Sequence, residues 1–189
     1  MKMKAIVNRV LALVAALVVV ASVAAAAPAD QMGERAAFEQ LAKKVRKELV
    51  TLPWYGVFDN LEYQISGSTV TLSGQVVQPS TRKDAERRVR RLAGVERVVN
   101  NIEVLPLSGF DDSIRANTYR ALFGWNSPLF RYGRGVNPSI HIIVSGGRVT
   151  LEGVVSNEGD LRMAYVLANG VSGVFAVTNN LRAENERAR

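Results

Sequence analysis

Six basic residues crowd ten positions of this 189-residue chain: Arg82, Lys83, Arg87, Arg88, Arg90 and Arg91. The chemistry open to such a cluster is attraction of anionic phospholipid headgroups, worth about 1 kcal/mol per basic side chain near the surface. A plainer reading competes with it. Asp84 and Glu86 stand four residues before Arg88 and Arg90, the spacing of paired charges on a solvated helix face. Lys43, Lys44, Arg46 and Lys47 form a second basic group open to the same two readings.

Bond-breaking chemistry has few candidates. The chain has no Cys and one His, His141, which removes disulfides, thiolate catalysis and any site needing two imidazoles. No Gly-x-Ser-x-Gly, Walker loop or paired-His metal motif is present. Acidic residues are scattered rather than paired. The expectation is no enzyme, no cofactor and no metal, with His141 an ordinary residue on the exposed face of a strand.

What positions these residues is an internal repeat. Shifted by 79 positions, Ile65–Glu103 aligns without a gap on Val144–Arg182, and 13 of the 39 positions are identical. Shared features include Ser-Gly at 66–67 and 145–146, Val-Thr-Leu-x-Gly at 70–74 and 149–153, and Gly-Val at 94–95 and 173–174. Asn-Asn recurs at 100–101 and 179–180. Upstream the offset falls to 74, so the second copy carries about five extra residues around 131–136.

Each copy opens with a helix, carried by Phe38, Leu41, Ala42, Val45 and Leu49, then by Ile114, Tyr119, Leu122 and Phe123. Asp111 or Asp112 is the expected N-cap of the second. Leu61, Tyr63 and Ile65 alternate as a strand, matched by Ile140, Ile142 and Val144, and a Gly turn leads to a second strand. Ala85, Val89 and Leu92 mark a second helix, which Gly94 and its counterpart Gly173 are expected to end as left-handed C-caps. A third strand closes each copy at 95–104 and 174–182, where the paired Asn residues satisfy backbone groups at a bulge or strand end. The fold class is α+β: two tandem αββαβ units, each a small three-stranded mixed sheet with helices on one face and water on the other. Gly74 and Gly153 are expected on the packed face, where a helix comes close. Units of this size bury small cores, so the two copies are expected to dock.

The copies differ in one direction. Asp84, Arg87 and Arg88 become Met163, Val166 and Leu167, while Gln64 and Gln75 become Ile143 and Val154. These five apolar residues are the candidate interface, since an exposed apolar patch marks a docking site; private burial in one core is the other reading. Leu161, Ala164, Tyr165 and Ala168 are expected to face their own sheet. In the extra loop, Phe130 and Tyr132 with Arg131 and Arg134 suit either a lipid interface or anchorage of a long connection.

At the N-terminus, Lys2, Lys4 and Arg9 precede an apolar run from Val10 to Ala27 ending in Ala27-Pro28-Ala29. This is the pattern of a secretory signal peptide over 1–29, cut after Ala29 or, less favourably, after Ala26; retention as a membrane anchor is the alternative. Without those three basic residues the formal charge of +7 falls to about +4. Together with export, that modest excess disfavours nucleic acid as a partner.

Val-Thr-Leu-x-Gly followed by a helix and Gly-Val-x-x-Val-x-Asn resembles the BON domain, at roughly 36–106 and 111–183. The domains would be 30–107 and 108–183, with a polar tail at 184–189. What the resemblance implies is a non-enzymatic protein of the bacterial envelope, in the periplasm, associated with osmotic stress and phospholipid surfaces. The expected partner is therefore an anionic phospholipid surface or an envelope protein. The alternative is a protein–protein module using the apolar face of the second copy, a homodimer included.

Overall fold

Each copy folds around an antiparallel strand pair extended by a parallel third strand. The computed structural model describes residues 28–135 and 137–184; the signal segment expected over 1–29 lies almost wholly outside them. In the first copy a helix α1 (Pro28–Val50) precedes β1 (Asn60–Ser66), β2 (Thr69–Val76), α2 (Pro79–Arg90), β3 (Arg97–Asn100) and β4 (Glu103–Val104). The second copy comprises α3 (Gly109–Phe123), β5 (Ile140–Ser145), β6 (Arg148–Val155), α4 (Glu158–Asn169) and β7 (Ala176–Ala183), with a 3-10 turn at Phe130–Gly133. β1 pairs antiparallel with β2, and β3 and β4 run parallel to it; β5, β6 and β7 repeat the order. The closing strand is interrupted at Asn101–Ile102 in the first copy only, so that sheet counts four strands rather than three. From Ala37 onward the two copies lie within one compact unit.

The two cores follow the alternation. Val70, Leu72 and Val76 on β2 meet Val45 and Leu49 of α1 and Ala85 and Val89 of α2. In the second copy Val149, Leu151 and Val155 meet Ile114 and Leu122 of α3 and Ala164 and Ala168 of α4. Side chains at i and i+4 on a helix share a face, and alternate strand residues share a face, so these sets converge.

Local details depart from expectation where backbone groups found other partners. The N-cap of α3 is Ser108, whose side chain accepts from Asp111 N. Asp111 is buried instead, accepting from Gly146 N at 3.0 Å and Gly147 N at 2.8 Å, and so holds the turn between β5 and β6. Gly94 and Gly173 have positive φ but sit beyond the helices, whose C-caps are Arg91 and Gly170. The first Asn of each pair does the expected work, whereas Asn180 donates to the Glu152 side chain. Asn100 Nδ2 donates to Arg82 O and Asn179 Nδ2 to Leu161 O, and each Oδ1 accepts the amide two residues on.

Gly74 and Gly153 do not make room for a helix. Their φ values are +104° and +128°, and a Cβ would lie 2.1 Å from Asn60 O at the start of β1 and 2.0 Å from Ser139 O just before β5. The close approach is backbone to backbone, where an L side chain has no space. Gly153→Ala is expected to cost more than about 2 kcal/mol in chemical denaturation, combining a disallowed φ with a backbone clash. Gly67→Ala, at φ +57° with open space around it, should cost only about 1 kcal/mol.

Candidate functional site

The basic residues of α2 divide by what they touch. Arg87 pairs with Asp84 at 2.5 Å and Arg90 with Glu86. Arg88 does not pair with Asp84, as the i,i+4 spacing suggests; it reaches across to Glu48 (3.5 Å) and Thr51 (3.4 Å) of α1. Helical rotation explains the choice, since Arg88 lies on the side of α2 that abuts α1 and Asp84 is nearer Arg87. Arg82, Lys83 and Arg91 are exposed and have no ion-pair partner among the described residues. Because Arg88 fixes α2 against the last turns of α1, exposed Lys43, Lys44 and Lys47 belong to the same helical layer. The local acids therefore neutralise part of the cluster and leave a cationic surplus.

The five apolar candidates do not form one exposed patch. Met163 and Val166 are exposed on α4, at 41% and 63%. Leu167 is half-buried against the second core, taking the place expected of Tyr165, which is exposed. Ile143 is only 5% exposed and Val154 is half-buried. Their strand positions alternate with the core residues Ile142, Val144 and Val155, so they face away from α4. The supposedly wet face of the second sheet is thus partly covered.

A segment of the first copy lies along that sheet. Asp59, buried, accepts from Gly56 N at 2.9 Å and Val77 N at 2.7 Å, which holds the chain between α1 and β1 in a fixed loop. That loop gives Val57 O to Ile142 N of β5 at 2.7 Å, and packs Val57 and Phe58 on the second core. Phe58 meets Tyr119 of α3 edge-on at 6.2 Å. His141 is correspondingly not a surface residue. It is half-buried, with Nδ1 3.2 Å from Gly56 O and Nε2 3.4 Å from the Tyr55 hydroxyl, the two rings 5.5 Å apart.

Burial sets the titration of the junction. It pushes His141 below the ordinary imidazole value of 6.5, against the opposing pull of its backbone hydrogen bonds. Burial, helped by the Asp59 charge, pushes Tyr55 up to about 12, so its hydroxyl stays neutral. Burial also raises Asp59, against the two amide donors.

The extra loop of the second copy is an anchor. Tyr132 is buried; its hydroxyl donates to Asp160 at 2.7 Å and accepts from Ser156 N at 2.8 Å. Ser156 is the repeat counterpart of Val77, whose amide Asp59 binds, so Tyr132 does in one copy what Asp59 does in the other. Arg131 pairs with Asp160 at 2.5 Å. Sequence reasoning passed over Asp59, Tyr55 and the inward turn of Asp111. An isolated Asp before a strand gives no signal of burial, whereas Tyr132 was at least marked by the insertion.

Among the described residues no helix is long and apolar enough to cross a membrane, and no cluster of ligating side chains could hold a metal. The family model described as "BON domain" matches residues 39–106 and 111–185. A protein of Anaplasma centrale, titled an uncharacterized protein in the gshII 5' region, is 28% identical over 152 residues, spanning 77% of this chain and 94% of that one. Two structures of CdsD, a structural protein of the type III secretion system of Chlamydia trachomatis, are similar at 12% and 13% identity, each with a TM-score of 0.28. They cover 76% and 79% of this chain, and 96% and 95% of theirs.

The junction yields a pH prediction. His141 binds its proton less readily folded than unfolded, so its contribution to stability is present above pH 6.5 and lost as pH falls through the lowered folded value. Asp59, whose folded value burial raises, works in the opposite sense. Between about pH 7 and pH 5, wild type should lose more stability than His141→Gln in denaturant titrations. Parallel curves for the two proteins would show that the imidazole is not the titrating group.

Proposed function

The chain belongs to the BON domain family, whose members are generally non-enzymatic, and we propose that it is an exported envelope protein that binds anionic phospholipid surfaces through its first copy. The observation that carries this reading is the surplus on α2. Arg82, Lys83 and Arg91 are exposed cations for which the fold supplies no acidic partner among the described residues. Lys43, Lys44 and Lys47 on α1 extend the same charge. A lipid surface neutralises several such cations at once, each contributing about 1 kcal/mol. The apolar run at the N-terminus supports export, and a role in envelope or osmotic stress tolerance accords with the family.

The protein should co-sediment with phosphatidylglycerol-containing vesicles and ignore vesicles of phosphatidylcholine alone. Raising salt from about 0.1 M to 1 M shortens the Debye length from about 10 Å to 3 Å and should release it. Arg82→Glu with Lys83→Glu and Arg91→Glu should abolish binding without altering the circular dichroism spectrum, because none of the three side chains makes an ion pair among the described residues. Salt-insensitive or charge-indifferent binding would sink the proposal.

A second reading rests on α4, where Met163 and Val166 are exposed at the positions occupied by Asp84 and Arg87 in α2. Here the protein is an interaction module, self-association included. Met163→Asp with Val166→Asp should then convert an associated wild type into a folded monomer in sedimentation velocity, with vesicle binding untouched. A monomeric wild type that captures no envelope protein through α4 removes this reading.

A further inference from the structure

A cavity of about 730 Å³ lies where the two copies meet, a size typical of small-molecule sites. Its walls come from α1 and β1 of the first copy and from β5, β6 and the end of β7 of the second. Leu49, Val50, Leu61 and Val154 supply apolar surface, and Tyr55 adds an aromatic ring. This half of the wall suits a hydrocarbon body.

The polar half is unbalanced toward donors. Three of its groups are already committed within the protein. The Tyr63 hydroxyl donates to Ala42 O, Asn60 Nδ2 donates to Glu62, and both His141 nitrogens face Gly56 O and the Tyr55 hydroxyl. The side chains of Arg46, Arg182, Asn137 and Ser139 remain, without a hydrogen bond to another described residue. Arg46 and Arg182, one from each copy, thus share one lining with Asn137 and Ser139, all four of them exposed. Glu184 is the acid of the set, and it is exposed and without an ion pair among the described residues. A guanidinium offers a fork of donors matched to a carboxylate or phosphate oxygen pair.

We propose that this junction cavity binds a single small amphipathic anion, its oxyanion head held between Arg46 and Arg182 and its apolar body against Leu61 and Val154. The site needs both copies, so the duplication creates it and neither repeat holds it alone. It is separate from the cationic layer on α2, and its ligand is a monomer in a cavity rather than a membrane surface.

The test is titration of the full chain with decanoate, decyl phosphate, decan-1-ol and inorganic phosphate, below micelle-forming concentrations, by calorimetry and amide chemical shifts. One equivalent of decanoate or decyl phosphate should saturate the protein, with shifts at His141, Val154 and Arg182. The tighter of the two identifies the head as carboxylate or phosphomonoester. Arg46→Gln with Arg182→Gln should weaken binding at least tenfold, and Val154→Trp, which fills the cavity and keeps the charge, should do the same. The α2 triple variant, which abolishes vesicle binding in the reading above, should bind the anions unchanged. Decan-1-ol binding as tightly as decanoate overturns the oxyanion assignment. Inorganic phosphate binding as tightly as decyl phosphate overturns the apolar half. Unchanged affinity in both the Arg and the Trp variants overturns the site altogether.

Discussion

The hydrogen bond from Ile142 N to Val57 O is the contact on which the arrangement of the two copies depends. β5 is an edge strand, and an edge presents unpaired amides that must be capped by something. Here the cap is a loop of the other copy, held in shape by Asp59 at its far end. Once Val57 is on β5, Phe58 falls against Tyr119 and Tyr55 against His141. The junction cavity is bounded by the same chain. A small domain buries too little surface to be robust alone, so docking through a backbone bond plus aromatic contacts supplies stability as well as geometry.

Duplication followed by divergence explains why equivalent positions do different work. The corner amide after the second strand is satisfied by Asp59 in one copy and by the Tyr132 hydroxyl in the other. Ser68 donates to Glu96 across the first copy's turn, whereas Gly147 and Phe175 occupy those places in the second and Phe110 packs beside the Phe175 ring. On the helix after the strand pair, Arg88 crosses to Glu48 while Leu167 sinks toward its own core. Each exchange keeps the backbone and alters the surface. The first copy becomes polar and cationic and the second apolar.

That asymmetry gives the electrostatics a direction. Ion pairs among exposed side chains contribute little to stability, so Arg87–Asp84 and Arg90–Glu86 matter chiefly for the charge they cancel. What they leave uncancelled, at Arg82, Lys83 and Arg91, is available to an external anion. At the junction the reverse holds. His141 and Tyr55 are both held neutral by burial, which avoids the cost of desolvating an ion at those two rings.

How much of this could be read without a structure differs from element to element. The strand pairs and most of the helix faces were legible, Tyr165 and Leu167 excepted, because alternation and helical spacing act over a few residues and the two copies corroborate each other. The tandem BON organisation followed from the same motifs. Asp111, Asp59 and His141 were not legible, because their roles depend on partners 18 to 86 residues away in the chain. Asp111 has the sequence context of an N-cap, yet the turn at Gly146 and Gly147 claims it. Ile143 and Met163 look alike in the alignment, yet one lies on the covered face of the sheet and the other on open helix surface. Local periodicity chooses the elements of each copy and the faces they bury, so the fold of each copy is written in its own residues. Which surfaces stay free is set in three dimensions, because that depends on how one folded copy covers the strand edge of the other.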